Sequence, residues 1–197
     1  MHDALTRRGL EEGELQGGWY ALYTRHQHEK TAGDLLARKG FETFLPLYSA
    51  AHRWKDRNKM LSLPLYPNYV FLHGGLDRRL AILTTPGVIG LVGFAGRAST
   101  IPNTEIEAIR RVIENRLNVE PHPFLKCGDW VRVRFGPLEG IEGILVRKKN
   151  VHRLVLSVDL LQKSVSVEVD AMAVERSARR NPEPLMPPLT GPVLLPS

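Results

Sequence analysis

The chain has 197 residues, 27 Lys plus Arg against 21 Asp plus Glu, a formal net charge of +6 and 43% hydrophobic residues, the balance of an ordinary globular protein of one medium or two small domains. No apolar run reaches the ~18 residues of a membrane span, and residues 1–18 lack the apolar core of a signal peptide. A lone cysteine, Cys127, excludes an internal disulfide and a thiolate-rich metal site, so a reducing, cytoplasmic location is expected.

Residues 1–18 are polar, contain glycine and show no sustained periodicity, which predicts a flexible leader. Order is expected from Trp19, where Trp19-Tyr20-Ala21-Leu22-Tyr23-Thr24 reads as an aromatic-rich strand. Residues 28–39 set Ala32, Leu35 and Leu36 at helical spacing, with Lys30, Asp34 and Arg38 opposite and Gly40 as the C-terminal cap. Phe41–Leu45 is a short strand closed by Pro46. Tyr48–Trp54 and Met60–Leu63 can pair as a ribbon around the basic tip from His52 to Lys59. Tyr66-Pro67-Asn68-Tyr69-Val70-Phe71-Leu72 is a turn leading into a buried strand, followed by a short helix over 78–84 and a strand at Val88–Phe94. Pro102 and a capping box of Thr104 and Glu107 open the next helix, whose apolar stripe is Ile106, Ile109 and Ile113. This order predicts an α+β sandwich over 19–116, helices covering an antiparallel sheet.

Residues 117–125 read as a Pro-stiffened linker. Beyond it the period changes to two: Val131, Val133 and Phe135 alternate with Arg132 and Arg134, and Val165, Val167 and Val169 with Ser166 and Glu168. Strands at Trp130–Phe135, Gly143–Lys148, Leu154–Val158 and Ser164–Val169 suggest a small β-barrel over 126–177. Residues 178–197 hold six of the 14 prolines and are expected to be extended or disordered.

Enzyme signatures are missing. There is no G-x-S-x-G, H-E-x-x-H or Walker sequence, and His26 and His28 have no neighbouring Asp, Glu or Cys cluster to complete a metal site. No catalytic residue, metal or cofactor is expected. The positive charge is concentrated: residues 19–116 carry 14 basic and 8 acidic side chains, which favours an anionic partner, nucleic acid being the commonest. A solvated basic surface accounts for the same charge.

Gly128 to Val146, with Gly136-Pro137-Leu138 and then Gly140 and Gly143 at the turn between two strands, resembles a KOW motif, the opening of an SH3-like barrel. Trp19-Tyr20-Ala-Leu-Tyr-Thr, the helix with Glu29-Lys30, Gly40-Phe41-Glu42-Thr43-Phe44-Leu45-Pro46, Pro64 to Phe71 and Thr85-Pro86-Gly87-Val88 resemble, in order and spacing, the N-terminal domain of the NusG transcription factors. The resemblance runs from residue 19 to 114, and the KOW match extends it to 177. It implies a non-enzymatic, monomeric elongation factor away from membranes. Its apolar patch (Phe44, Leu45, Pro46, Tyr66, Pro67, Asn68, Tyr69 and Phe71) would meet the clamp helices of bacterial RNA polymerase. Strand alternation allows the other reading, in which half of these residues face the core. Arg25, His26, Gln27, His28 and Lys30 match the positions near non-template DNA or nascent RNA, with Arg53, Lys55, Arg57 and Lys59 extending the track around Trp54. Arg78 and Arg79 match the region facing the other side of the polymerase cleft.

Asn68 in Tyr-Pro-Asn-Tyr and the histidine-rich helix start resemble the operon-specific RfaH-like paralogues, which implies antitermination; a general NusG role is the alternative. The family's KOW barrel recruits Rho or a small-subunit ribosomal protein, for which Phe135, Leu138 and Ile141 are candidates, Phe135 being the one expected in the core. β-Branched residues and glycines argue for a constitutive barrel over a helical alternative. A KOW-type RNA- or ribosome-binding protein that never meets polymerase is the competing class.

Overall fold

The computed structural model describes residues 17–54, 57–94, 96–125, 128–148, 150–177 and 193–195, with backbone alone for 52–54, 57–58 and 193–195. The leader up to residue 16, Lys55, Cys127 and the tail over 178–192 lie outside the described residues. Two compact units divide the chain. One holds residues up to Leu45, Pro67–Asn103 and the segment from Pro192; the other holds Pro46–Tyr66 and Thr104–Gly191.

The first unit is an antiparallel sheet with two helices. Strands β1 (Gly18–Thr24), β2 (Glu42–Phe44), β5 (Tyr69–Gly74) and β6 (Val88–Phe94) lie in the order β6-β1-β5-β2, and α1 (Glu29–Arg38) and α2 (Arg79–Leu83) join them. β7 (Arg97–Ala98) pairs with β6 and β8 (Thr100–Ile101) with β1. The two faces of the sheet differ chemically. On one, Tyr20, Leu22, Val70, Leu72 and Leu91 pack with Leu36 of α1 and Ile82 of α2 into a single core. On the other, the register Trp19↔His73, Ala21↔Phe71, Tyr23↔Tyr69 and Phe44↔Phe71 lines up an aromatic face. Its ring centroids stand 6.2 Å apart for Trp19–Phe44, 6.1 Å for Phe44–Phe71 and 5.4 Å for Tyr23–Tyr69, the tilted and edge-on spacings that aromatic quadrupoles favour.

α1 ends as the glycine at 40 predicts. Gly40 has φ +82°, its N–H donates to Ala37 O and the N–H of Phe41 donates to Leu36 O, the paired bonds of a Schellman motif. Arg78 lies over this corner, its guanidinium 4.4 Å from the Phe41 ring centroid and donating to Lys39 O at 2.7 Å. α1 buries Glu29, Ala32, Gly33 and Leu36, whereas Leu35 is half-buried. The tail contributes β15 (Val193–Leu195), which pairs antiparallel with β6. At these three residues the tail is extended and is paired as a strand.

In the second unit β3 (Leu47–Trp54) and β4 (Arg57–Pro64) form the ribbon expected around the basic tip, closed at its base by Leu65 N–H donating to Pro46 O at 2.9 Å. α3 (Asn103–Glu114) begins one residue ahead of Thr104, so Thr104 lies inside the helix rather than capping it. Its buried stripe is Ile106, Ile109 and Val112, with Ile113 turned partly outward. The remaining strands, β9 (Val119–His122), β10 (Asp129–Val133), β11 (Glu142–Lys148), β12 (Val151–Val158), β13 (Lys163–Glu168) and β14 (Val174–Arg176), make one antiparallel sheet in the order β14-β10-β11-β12-β13-β9. It fits the small KOW β-domain and contains no α-helix among the described residues.

The Pro-stiffened segment 117–125 is thus partly a strand. β9 is fastened by Arg153, nearly buried, whose guanidinium donates to Ser166 Oγ (3.0 Å), Glu168 Oε1 (3.0 Å) and Asn118 O (3.4 Å). Glu120 of β9 accepts from Lys148 Nζ at 2.7 Å, and that bond holds its carboxyl below the usual range, with Arg153 adding to it.

Candidate functional site

The site is built where β1 runs into α1. After Thr24, Arg25–His28 make a tight turn closed by His28 N–H donating to Arg25 O at 3.1 Å, with Gln27 at φ +62°. All four side chains are exposed, as is Lys30, the second residue of the helix. Three bonds tie this loop to neighbouring turns. Thr24 N–H donates to Asn68 O at 2.8 Å, Arg25 N–H donates to Gly87 O at 2.8 Å, and the buried Glu29 carboxylate accepts the Asn68 N–H at 2.8 Å. His26 Nδ1 lies 3.4 Å from Asn68 Oδ1, and His28 Nδ1 donates to His26 O at 3.0 Å.

Local chemistry explains this assembly. Asn68 has φ +69°, a conformation that Asn tolerates because its short amide bonds locally. Gly87 has φ +90°, and a Cβ there would come within 2.9 Å of His28 Cβ, so only glycine lets the loop approach. The loop over Arg25–His28, the Pro67–Tyr69 turn and the Pro86–Gly87 turn therefore form one end of the sheet, presenting one Arg, one Lys and two imidazoles to solvent. Such a surface can neutralise phosphates and stack or hydrogen-bond with unpaired bases. Among the described residues no three of His, Cys, Asp and Glu come together to hold a metal ion.

The residues of the apolar patch divide by exposure. Pro67 is exposed, and Phe44, Leu45 and Asn68 are partly so. Tyr69 (7% exposed), Phe71 (0%), Tyr66 (1%) and Pro46 are buried in the chain. Burial and the nearby Tyr23 raise the Tyr69 hydroxyl above its ordinary range, and burial with Glu105 nearby does the same to Tyr66. Tyr69 and Phe71 share the aromatic face and shape the surface from beneath. Of the basic track, Lys59 is exposed, Arg53 and Arg57 sit at the register positions next to the ribbon tip, and Lys55 is outside the described residues.

Residues 17–110 match the family model described as "Transcription termination factor nusG". Over that stretch, just under half of its length, the chain is similar to the NusG family. It is 28% identical to the "Transcription termination/antitermination protein NusG" of Helicobacter pylori over 125 residues, 62% of this chain and 71% of that protein. It is 22% identical to the protein of the same name from Halalkalibacterium halodurans over 178 residues, 82% of this chain and 99% of that one. The fold is similar to the solved structure "Domain interaction in Thermotoga maritima NusG", with a TM-score of 0.52 and 17% identity over 83% of this chain and 98% of that one. No helix among the described residues is long and apolar enough to cross a membrane.

In the KOW sheet, Gly136 (φ +92°) and Gly140 (φ +81°) take left-handed conformations on either side of exposed Pro137, and Gly140 N–H donates to Val133 O at 2.8 Å. A Cβ on Gly143 would lie 2.6 Å from Val155 O. Exposure reverses the expectation for the apolar loop residues: Leu138 (3%) and Ile141 (8%) are buried, whereas Phe135 is 52% exposed. β10 ends at Val133, so the alternation cannot be carried on to Phe135. Met172, 77% exposed, belongs to the segment that Arg134 N–H holds by donating to Ala173 O. Sequence reasoning also passed over the structural role of Glu29. An acid in the first turn of a helix is ordinary, and nothing in the spacing shows that its carboxylate is buried beneath Asn68.

Proposed function

We propose that this NusG-like chain binds bacterial RNA polymerase and modulates pausing and termination, acting as an operon-specific antiterminator. The observation that carries the reading is the bonding of the exposed Arg25–His28 loop to the Tyr66-Pro67-Asn68-Tyr69 turn through Glu29 and Asn68. The exposed basic loop and the exposed Pro67 thereby lie beside one another. Phe44, Leu45, Pro67 and Asn68 meet the clamp helices, with Tyr69 and Phe71 beneath them. Arg25, His26, Gln27, His28 and Lys30 face the non-template DNA or nascent RNA, and Arg53, Lys55 and Arg57 of the ribbon are further basic residues for nucleic acid. Asn68, with its side chain beside His26, supports the specialised over the general role, because it adds an amide where a glycine would leave bare backbone. Phe135 and Met172 form the exposed apolar part of the KOW domain that would meet Rho or a ribosomal protein.

The test is single-round transcription with the cognate polymerase on a template carrying a pause and a Rho-dependent terminator. The surface variants Phe44→Ser/Leu45→Ser and Arg25→Ala/Lys30→Ala keep the core intact. Faster elongation and read-through, lost in both variants, is the expected result. Increased termination points to a general NusG role. No effect together with no polymerase binding at low salt overturns the reading in favour of RNA or ribosome binding.

A further inference from the structure

β6 is the outer strand of its sheet on the side away from β1, and its sequence has none of the usual protection of an edge. Val88-Ile89-Gly90-Leu91-Val92-Gly93-Phe94 contains no charged residue and no proline over seven residues. A strand of this composition with an open row of N–H and C=O groups is a template for pairing with any extended chain. In this structure that edge is covered by β15, with Val193↔Gly93, Leu194↔Val92 and Leu195↔Leu91.

Backbone parity identifies the groups involved. Val92 O accepts from Ser99 N–H at 3.2 Å, so Val92 turns its polar groups inward to the β7 side. Its neighbours Leu91 and Gly93 then turn theirs outward, which makes Leu91↔Leu195 and Gly93↔Val193 the hydrogen-bonded pairs. In sequence the three residues are bracketed by Pro192 and Pro196, which have no N–H to offer. The cover therefore has donors where it meets β6 and few where a further strand would join, a stop rather than a new edge. The segment belongs to the same chain as the edge it covers, so the pairing is intramolecular and needs no second molecule.

We propose that the outer edge of β6 is a strand-accepting docking site whose occupant is the chain's own Val193–Leu195 segment, a detachable cover selective for an extended, Pro-bracketed apolar peptide. It is independent of the polymerase-binding surface.

Amide hydrogen exchange tests this on the full chain, on a chain ending at residue 190, and on Leu195→Pro, each checked by sedimentation velocity at low micromolar concentration. Exchange at Leu91 and Gly93 should rise by about tenfold or more on truncation and in Leu195→Pro, while core amides such as Leu22 and Leu72 stay unchanged. A synthetic peptide of residues 191–197 should restore protection to the truncated chain, and the same peptide carrying Leu195→Pro should not. A truncated chain that keeps protection by dimerising also supports the proposal, because the uncovered edge has accepted another copy. Unchanged protection in a truncated monomer overturns it, as does exposed Leu91 and Gly93 that the peptide at millimolar concentration fails to protect.

Discussion

Glu29 and Asn68 show how one buried carboxylate can hold a turn. The Asn68 N–H has Glu29 Oε1 as its partner, and Glu29 is 4% exposed. Truncating Glu29 to Ala strands that donor, and we expect a loss of about 1–3 kcal/mol of unfolding free energy in urea titration. Glu29→Gln keeps an oxygen acceptor and should lose clearly less. At position 68 the left-handed backbone dictates the order of substitutions. Asn68→Gly should be near neutral for stability, whereas Asn68→Ala should cost about 1 kcal/mol, read from the same denaturation midpoints. If Asn68→Gly keeps full stability and loses antitermination, the amide beside His26 is the functional feature. The asparagine at position 68 was legible from the motif. The burial of Glu29 was not, because a first-turn acid has the same sequence signature whether solvated or enclosed.

The same limit holds for whole elements. α1, β5 and β6 follow from their periodicity and punctuation, and Gly40 closes α1 with the bonds its position implies. β9 escapes that reading because two prolines in a short run signal a linker, whereas its pairing with β13, fastened by Arg153 and Lys148, makes it a strand. Phe135 escapes it because alternation stops where the strand stops. β9 should also be the acid-sensitive element. The Glu120 carboxyl is held below its ordinary value by Lys148, so its contribution is present above the ordinary carboxylate range and is lost as pH falls below about 4.5 towards the depressed folded value. We expect amide exchange at Val119, Glu120 and His122 to accelerate between pH 5 and 3 more than in the rest of the sheet, compared with intrinsic rates. Lys148→Ala should remove most of that pH dependence.

For the whole molecule, the concentrated charge of residues 19–116 sets how binding responds to salt. If Arg25 and Lys30 each neutralise a phosphate, the double alanine variant should lower the slope of log K against log salt for single-stranded DNA by about 1.4. Fluorescence anisotropy between 50 and 200 mM salt measures this, and an unchanged slope would remove both residues from the phosphate-contacting set. The likeness to NusG and the fold were legible because several motifs occur in order with consistent spacing. The closing of the sheet by β15 was not, since three apolar residues between prolines carry no period at all.

The pairing of β15 with β6 also has a history in time. Ninety-eight residues lie between Phe94 and Val193. At about 5–20 residues per second, a ribosome makes β6 some 5–20 seconds before it makes the strand that covers it. During that interval each nascent chain carries a bare, uncharged sheet edge, and chains following one another along a polysome hold such edges close together. Slow synthesis or a stall over residues 95–192 should therefore raise aggregation more than the stability of the finished protein would suggest.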